Sequence, residues 1–155
     1  MQVGFVMTAT AQSGHLPTLA QQAERLGFDS LWIPEHPIIP RGDITPYPFG
    51  GPLPEHYGRW VDPFIALTVV AGVTQKIKLA TGICLLPERE PIVTAKAIAS
   101  LDYYSGGRTI LGIGAGWLRE ETEIMGAKFA TRWQRMRETA EAMRALWTAE
   151  SPSYE

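Results

Sequence analysis

Thr109-Ile110-Leu111-Gly112-Ile113-Gly114-Ala115-Gly116-Trp117 is an apolar run that ends in three alternating glycines and an aromatic residue. Two readings compete for it. A dinucleotide fingerprint, G-x-G-x-x-G, places its third glycine where a helix must pack closely on the preceding strand. Counted from Gly112 and Gly114, that place is Trp117, whose bulk works against a helix laid over a pyrophosphate. Nor does an acidic residue close a following strand about 20 residues on, where such a motif holds a ribose. The other reading is a buried strand ending in small residues, and the flanking segments say what sheet it joins.

Upstream, Pro91 opens a helix with Ile92, Ala95, Ile98 and Leu101 on one face, and Ser105-Gly106-Gly107 closes it. Residues 77–86 read as a third strand. The helix before them starts at Asp62-Pro63, an N-cap carboxylate followed by proline, with Ile65, Val69, Val70 and Val73 as its expected buried stripe. Residues 30–33 form a second strand that runs into Pro34-Glu35-His36-Pro37. Seven prolines between Pro34 and Pro54 exclude a helix or central strand there, so residues 37–60 are expected to be a long loop. Loops of that length are usually functional or disordered. At the N-terminal end, residues 3–7 read as a strand, and Leu16, Leu19, Ala20, Ala23 and Leu26 mark a helix over 17–26 that Gly27 stops. Downstream, a helix over 131–147 groups Trp133, Met136, Ala140, Met143 and Trp147, with a solvated Arg/Glu face opposite. Strand and helix thus alternate four times without a hairpin signal. That pattern implies a parallel α/β sheet with right-handed crossovers, either doubly wound or closed into a barrel.

The chain has 155 residues, 45% hydrophobic and 19% charged, with a formal net charge of −2. These values fit a single globular domain over 1–155 and give no electrostatic reason to expect nucleic acid or an anionic membrane as partner. No apolar run reaches the roughly 18 residues of a membrane helix, and Met1-Gln2-Val3-Gly4 has no basic segment leading an apolar stretch, so no secretory leader is expected. A cytoplasmic location is expected. Cys84 is the only cysteine, so no internal disulfide is available, and His15, His36 and His56 have no metal-ligand spacing. No metal is expected. Cys84 reads as a buried, inert thiol.

Several segments together resemble the luciferase-like flavin and deazaflavin oxidoreductases, in particular the F420-dependent branch. They are Leu26-Gly27-Phe28-Asp29-Ser30-Leu31-Trp32, Asp62-Pro63, Thr81-Gly82-Ile83, Leu101-Asp102-Tyr103-Tyr104-Ser105-Gly106-Gly107-Arg108, and Gly112 through Glu121. The resemblance spans essentially the whole chain. It implies a (β/α)8 TIM barrel, of which four strand–helix units are the N-terminal half, since such barrels need about 250 residues. Unpaired edges on the first and fourth strands would invite a homo-oligomer.

In this fold the active face lies at the carboxyl ends of the strands. The resemblance places the ring of F420, or alternatively FMN, near Glu35 and His36. His36 is the candidate catalytic group, because an imidazole titrates near neutrality. Glu35 either binds the ring or merely orients His36. At Gly82-Ile83 the family carries a non-proline cis peptide behind the ring, and Gly114 and Gly116 would leave room at the barrel mouth. Trp32, Trp60 and Trp117 could wall a flat ligand. Trp117 also marks a departure: the sugar-phosphate dehydrogenases of the branch have an acidic glutamate there, so neither that acid nor that substrate carries over. The resemblance implies hydride transfer between F420 and a small organic substrate, with an FMN-dependent monooxygenase as the alternative. A third possibility is an inactive half-barrel: the phosphate loops of such barrels commonly follow strands seven and eight, so the chain alone is expected to bind either cofactor poorly.

Overall fold

The computed structural model describes residues 1–42 and 44–153; Asp43 of the expected loop, and Tyr154 and Glu155, lie outside the described residues. Four strands form one parallel sheet in the order β1 (Gly4–Val6), β2 (Ser30–Ile33), β3 (Lys78–Thr81) and β5 (Thr109–Ile110). A second parallel pair, β4 (Cys84–Leu85) and β6 (Ile113–Gly114), continues beyond the ends of β3 and β5. The helices are α1 (Leu16–Arg25), α2 (Pro63–Ala71), α3 (Pro91–Ser105), α4 (Arg119–Ile124) and α5 (Arg132–Thr148).

Alternation along the strands decides between the two α/β architectures. Leu31, Ile33 and Leu79, with Phe5 and Leu111, join one core with Ala20, Ala23, Leu67, Val70, Ile98 and Met143 of the helices. On the two edge strands the neighbours on the other face stay open, Val6 being 64% and Ile110 38% exposed, whereas Ala80 of the inner β3 is buried. A doubly wound sheet would be covered on both faces; helices on one face only make a half-barrel, as expected.

Several boundaries differ from the sequence reading. The expected third strand is broken by a cis peptide at Gly82–Ile83, and its last part becomes β4 and a 3₁₀ turn over Leu86–Glu88. The fourth breaks at Leu111-Gly112, where β5 ends and β6 follows. In α2 the N-cap fits expectation, Asp62 Oδ1 accepting from the Phe64 and Ile65 amides at 2.9 and 3.0 Å. The buried stripe fits only in part: Val70 is buried as expected, together with Phe64, Ala66 and Leu67, while Ile65 and Val69 are exposed. Choosing the β-branched residues put Ile65 and Val69 ahead of the bulkier Phe64 and Leu67. Ile92 of α3 and Trp133 of α5 likewise point outward. The loop expected over 37–60 contains a 3₁₀ helix, Glu55–Arg59. Helix α4 had no counterpart in the sequence reading, and it builds the site.

Candidate active site

His36 lies three residues beyond β2, with its side chain 6% exposed. Its Nδ1 is 2.7 Å from Oε2 of Glu121, a residue with no exposed surface on α4. The other Glu121 oxygen accepts from the Ile38 amide at 3.3 Å. An ionised carboxylate only accepts, so this pairing puts a proton on Nδ1 and leaves Nε2 as the chemically free nitrogen. The neighbouring Glu120 does a different job. It bonds the Thr45 amide and hydroxyl at 3.1 and 3.3 Å, and these bonds hold its carboxyl below the usual range. One short helix therefore anchors both the histidine and the proline-rich loop.

Aromatic rings surround His36: Tyr57, Trp60 and Trp117 have centroids 5.4, 5.2 and 6.0 Å away. Tyr47 closes the group, its hydroxyl 2.8 Å from that of Tyr57. Burial, together with that bond, pushes the Tyr57 phenol up to about 12, so it stays protonated at neutral pH. Trp60 and Trp117 are thus brought to the histidine. Trp32 is not; it packs against Gly4, Gly82 and Gly112, with its indole N–H donated to Ser30 at 2.7 Å. A cavity of ≈ 240 Å³ opens beside His36, lined also by Glu35, Pro37, Trp60, Asp62 and Arg89.

Glu35 is turned away from the histidine's proton chemistry. Its Oε2 accepts from the Leu85 amide at 2.7 Å, and its Oε1 accepts from Arg89 Nε at 2.7 Å and from Arg89 Nη2. Arg89 also reaches Asp62 at 2.8 Å, tying β2, α2 and β4 together. Burial opposes the guanidinium charge, but these two carboxylates raise its pKa beyond the ordinary value. The Cys84 thiol is fully buried and its pKa is pushed up by that burial and by Glu35, which makes it unreactive. His15 bonds Thr18 at 2.9 Å, and His56 packs beside Tyr57. Among the described residues no cluster of three or more His, Cys, Asp or Glu could hold a metal ion, and no helix is long and apolar enough to cross a membrane.

The glycines of the opening stretch are needed for three separate reasons. A Cβ on Gly112 would lie 2.3 Å from the Thr81 carbonyl oxygen, and the Gly112 carbonyl accepts from Thr81 Oγ1 and the Cys84 amide. At Gly114 a Cβ would strike Ile83 Cδ1, so the room expected there is filled by Ile83. Gly116 has φ of 78°, and a Cβ would stand 3.2 Å from Glu88 Oε1. The Gly82–Ile83 bond is cis, as the resemblance implies.

The parallel half-barrel gathers a carboxylate-held histidine and aromatic rings at its strand ends, where the barrels of this architecture carry their sites. The chain belongs to the luciferase-like monooxygenase family, whose model matches residues 2–155. It is 40% identical over 159 residues to an uncharacterised protein of Mycobacterium tuberculosis, covering 100% of this chain and 56% of that protein. It is 30% identical over 160 residues to an F420-dependent glucose-6-phosphate dehydrogenase of Amycolatopsis mediterranei, covering 99% of this chain and 44% of that enzyme. Among solved structures it is similar to the oxygenating constituent of 3,6-diketocamphane monooxygenase from Pseudomonas putida in complex with FMN. That match has a TM-score of 0.75 and 26% identity, over 97% of this chain and 40% of that one. The chain thus spans about half the length of the curated relatives it matches.

The sequence reading named His36, Trp60 and Trp117, which the structure brings together, but it also named Trp32, which lies elsewhere, and it missed Tyr57 and Glu121. The only signal for Glu121 was its place in Leu118-Arg119-Glu120-Glu121, quoted above for the resemblance without a role.

Proposed function

We propose that this chain supplies the histidine side of an active site in which hydride passes between F420 and a small organic substrate. The observation that carries this reading is the His36–Glu121 pair under a wall of aromatic rings at the end of a barrel strand. The residues fit a flat tricyclic group: Tyr57, Trp60 and Trp117 offer ring faces, and Gly82, Ile83, Gly114 and Gly116 shape the adjoining strand ends. When bound, the coenzyme supplies the hydride chemistry. His36 Nε2 takes or returns the substrate's proton, Glu121 fixes the imidazole's orientation, and the aromatic wall excludes water. Glu35 contributes at one remove, by holding Leu85 and Arg89. The cavity beside His36, below the roughly 300–1,000 Å³ usual for drug-sized ligands, suits a small substrate rather than the ring itself.

The similarity to an F420-dependent dehydrogenase over nearly the whole chain supports F420. A second reading, an FMN-dependent monooxygenase, is supported by the FMN-containing structural neighbour. We also infer that residues 1–155 act as one incomplete-barrel domain and that copies associate through the open edges of β1 and β5. To test the cofactor, the ¹⁵N-labelled chain, which alone is expected to bind either cofactor poorly, is titrated up to millimolar concentrations of oxidised F420 and, in parallel, of FMN. The Trp60 and Trp117 indole and His36 imidazole signals should move with F420 in preference to FMN. Preference for FMN, with substrate-dependent oxygen uptake once it is reduced, would replace the first reading by the second. Signals that move with neither would remove the ring from this site.

A further inference from the structure

Glu88 ends the 3₁₀ turn after β4 and is only 4% exposed, yet none of the chemistry described so far uses it. Its Oε2 is buried and has no hydrogen-bond partner. Its Oε1 lies 2.9 Å from the Thr122 hydroxyl, which is also 3.0 Å from the Leu118 carbonyl. A hydroxyl carries one proton and a carbonyl only accepts. The one Thr122 proton is shared between Glu88 Oε1 and the Leu118 carbonyl, an ordinary acceptor one helical turn back, so an ionised Glu88 would have at most that one divided donor. Gly116, with no Cβ, is what lets Glu88 come this close.

Thr122 adjoins Glu121 on α4, so the Thr122 contact sets Glu88 one residue along the helix from the carboxylate that holds His36. We propose that Glu88 is a positioning residue for His36, acting through Glu121: it is held as a neutral carboxylic acid, so that the pocket beneath the histidine carries one negative charge rather than two. A second carboxylate there would favour protonation of Glu121 and loosen its bond to Nδ1. This rests on reading His36 as the proton-handling group.

The surrounding charges agree. Burial, and then the charge of Glu121, push the Glu88 carboxyl up to about 8, with Glu35 adding to the rise. The Thr122 bond and Arg89 oppose it. From α5, Arg132 donates to the Gly116 carbonyl next to the carboxyl, and Cys84 of β4 stays a neutral thiol.

The test follows the His36 imidazole nitrogens by NMR in the full chain between about pH 6 and 10, a range that brackets ordinary His and the raised Glu88. The wild-type chain should show a step centred near 8 as Glu88 ionises. Glu88→Gln should match the wild type below about pH 7, where Glu88 is already neutral, and lose the step. Thr122→Val, lacking the hydroxyl that favours the ionised form, should move the step to higher pH. A wild-type chain without the step, a step that survives in Glu88→Gln, or one that Thr122→Val leaves in place would each overturn the proposal. Should Glu88→Gln not fold, the Thr122→Val comparison decides. Because the readout needs neither coenzyme nor substrate, a clear step together with failed cofactor titrations would refute the proposed function and leave the role of Glu88 standing.

Discussion

Replacing Arg89 by methionine should strand the charge on Glu35. The methionine keeps much of the apolar stem but removes every guanidinium bond. Glu35, its side chain 2% exposed, would retain the Leu85 amide and the weakly donating Cys84 thiol as partners. Breaking a buried pair from one side costs about 3–5 kcal/mol, because the remaining charge is neither solvated nor paired. The contact with Asp62, whose side chain is 44% exposed, adds at most about 1 kcal/mol. Stacking over the Phe64 ring at 4.6 Å from its centroid adds about 0.5–1 kcal/mol. Burial of Glu35 therefore dominates the loss. With a urea slope of about 2 kcal/mol/M, the midpoint should fall by roughly 1.5–2.5 M. The sign of the pH dependence follows from linkage. A stranded Glu35 has a raised folded-state pKa, so the folded mutant binds a proton that the unfolded chain has released, and the deficit should shrink as pH falls toward about 4. Adding Glu35→Gln to Arg89→Met removes the charge and should regain more than half of the loss. A single mutant that loses less than about 1 kcal/mol, or a double mutant no better than the single, would show that the stranded carboxylate is not what costs stability.

Gly112→Ala should destabilise the chain by about 1–3 kcal/mol, because the new Cβ meets backbone at Thr81 rather than a flexible side chain. Calorimetry should register this as a fall in Tm of several degrees, and an unchanged Tm would mean the β3–β6 crossing relaxes freely. Light scattering should give the mass of a dimer or larger assembly, as expected from the unpaired edges of β1 and β5. A stable, well-folded monomer at high concentration would overturn that.

Some of this molecule can be read from short-range chemistry. Asp62-Pro63 caps and opens α2, and Gly106 ends α3 in the left-handed conformation; both are signals written within a few residues. The parallel direction of β1, β2, β3 and β5 follows from alternation of strand and helix. His36 was singled out by the family resemblance together with its place just past the end of β2. What could not be read depends on contacts made at a distance. The bends after Thr81 and Ile110 are set where two strands cross at Gly112 and where Ile83 fills the space over Gly114, and neither is a local preference. Helix α4 has six residues, too few for periodicity to register.

The missed helix explains why the site is where it is. Glu121 is 85 residues from His36 in sequence, and Glu120 is 75 from Thr45. A histidine on a proline-rich loop is a poor proton-handling group unless something fixes its ring, because loop motion spoils the geometry that proton transfer needs. Here the fixing does not come from the loop's own acidic residue, Glu35, which is spent on Arg89. It comes from the far side of the half-barrel, through α4, whose position depends in turn on the glycines that let β6 pass close beside Ile83 and Glu88. Gly116, Glu88, Thr122, Glu121 and His36 thus form one chain of contacts from the end of β6 to the imidazole. The small residues that first look like a phosphate cradle are the steric condition for that chain, and so for a histidine whose free nitrogen has a defined direction.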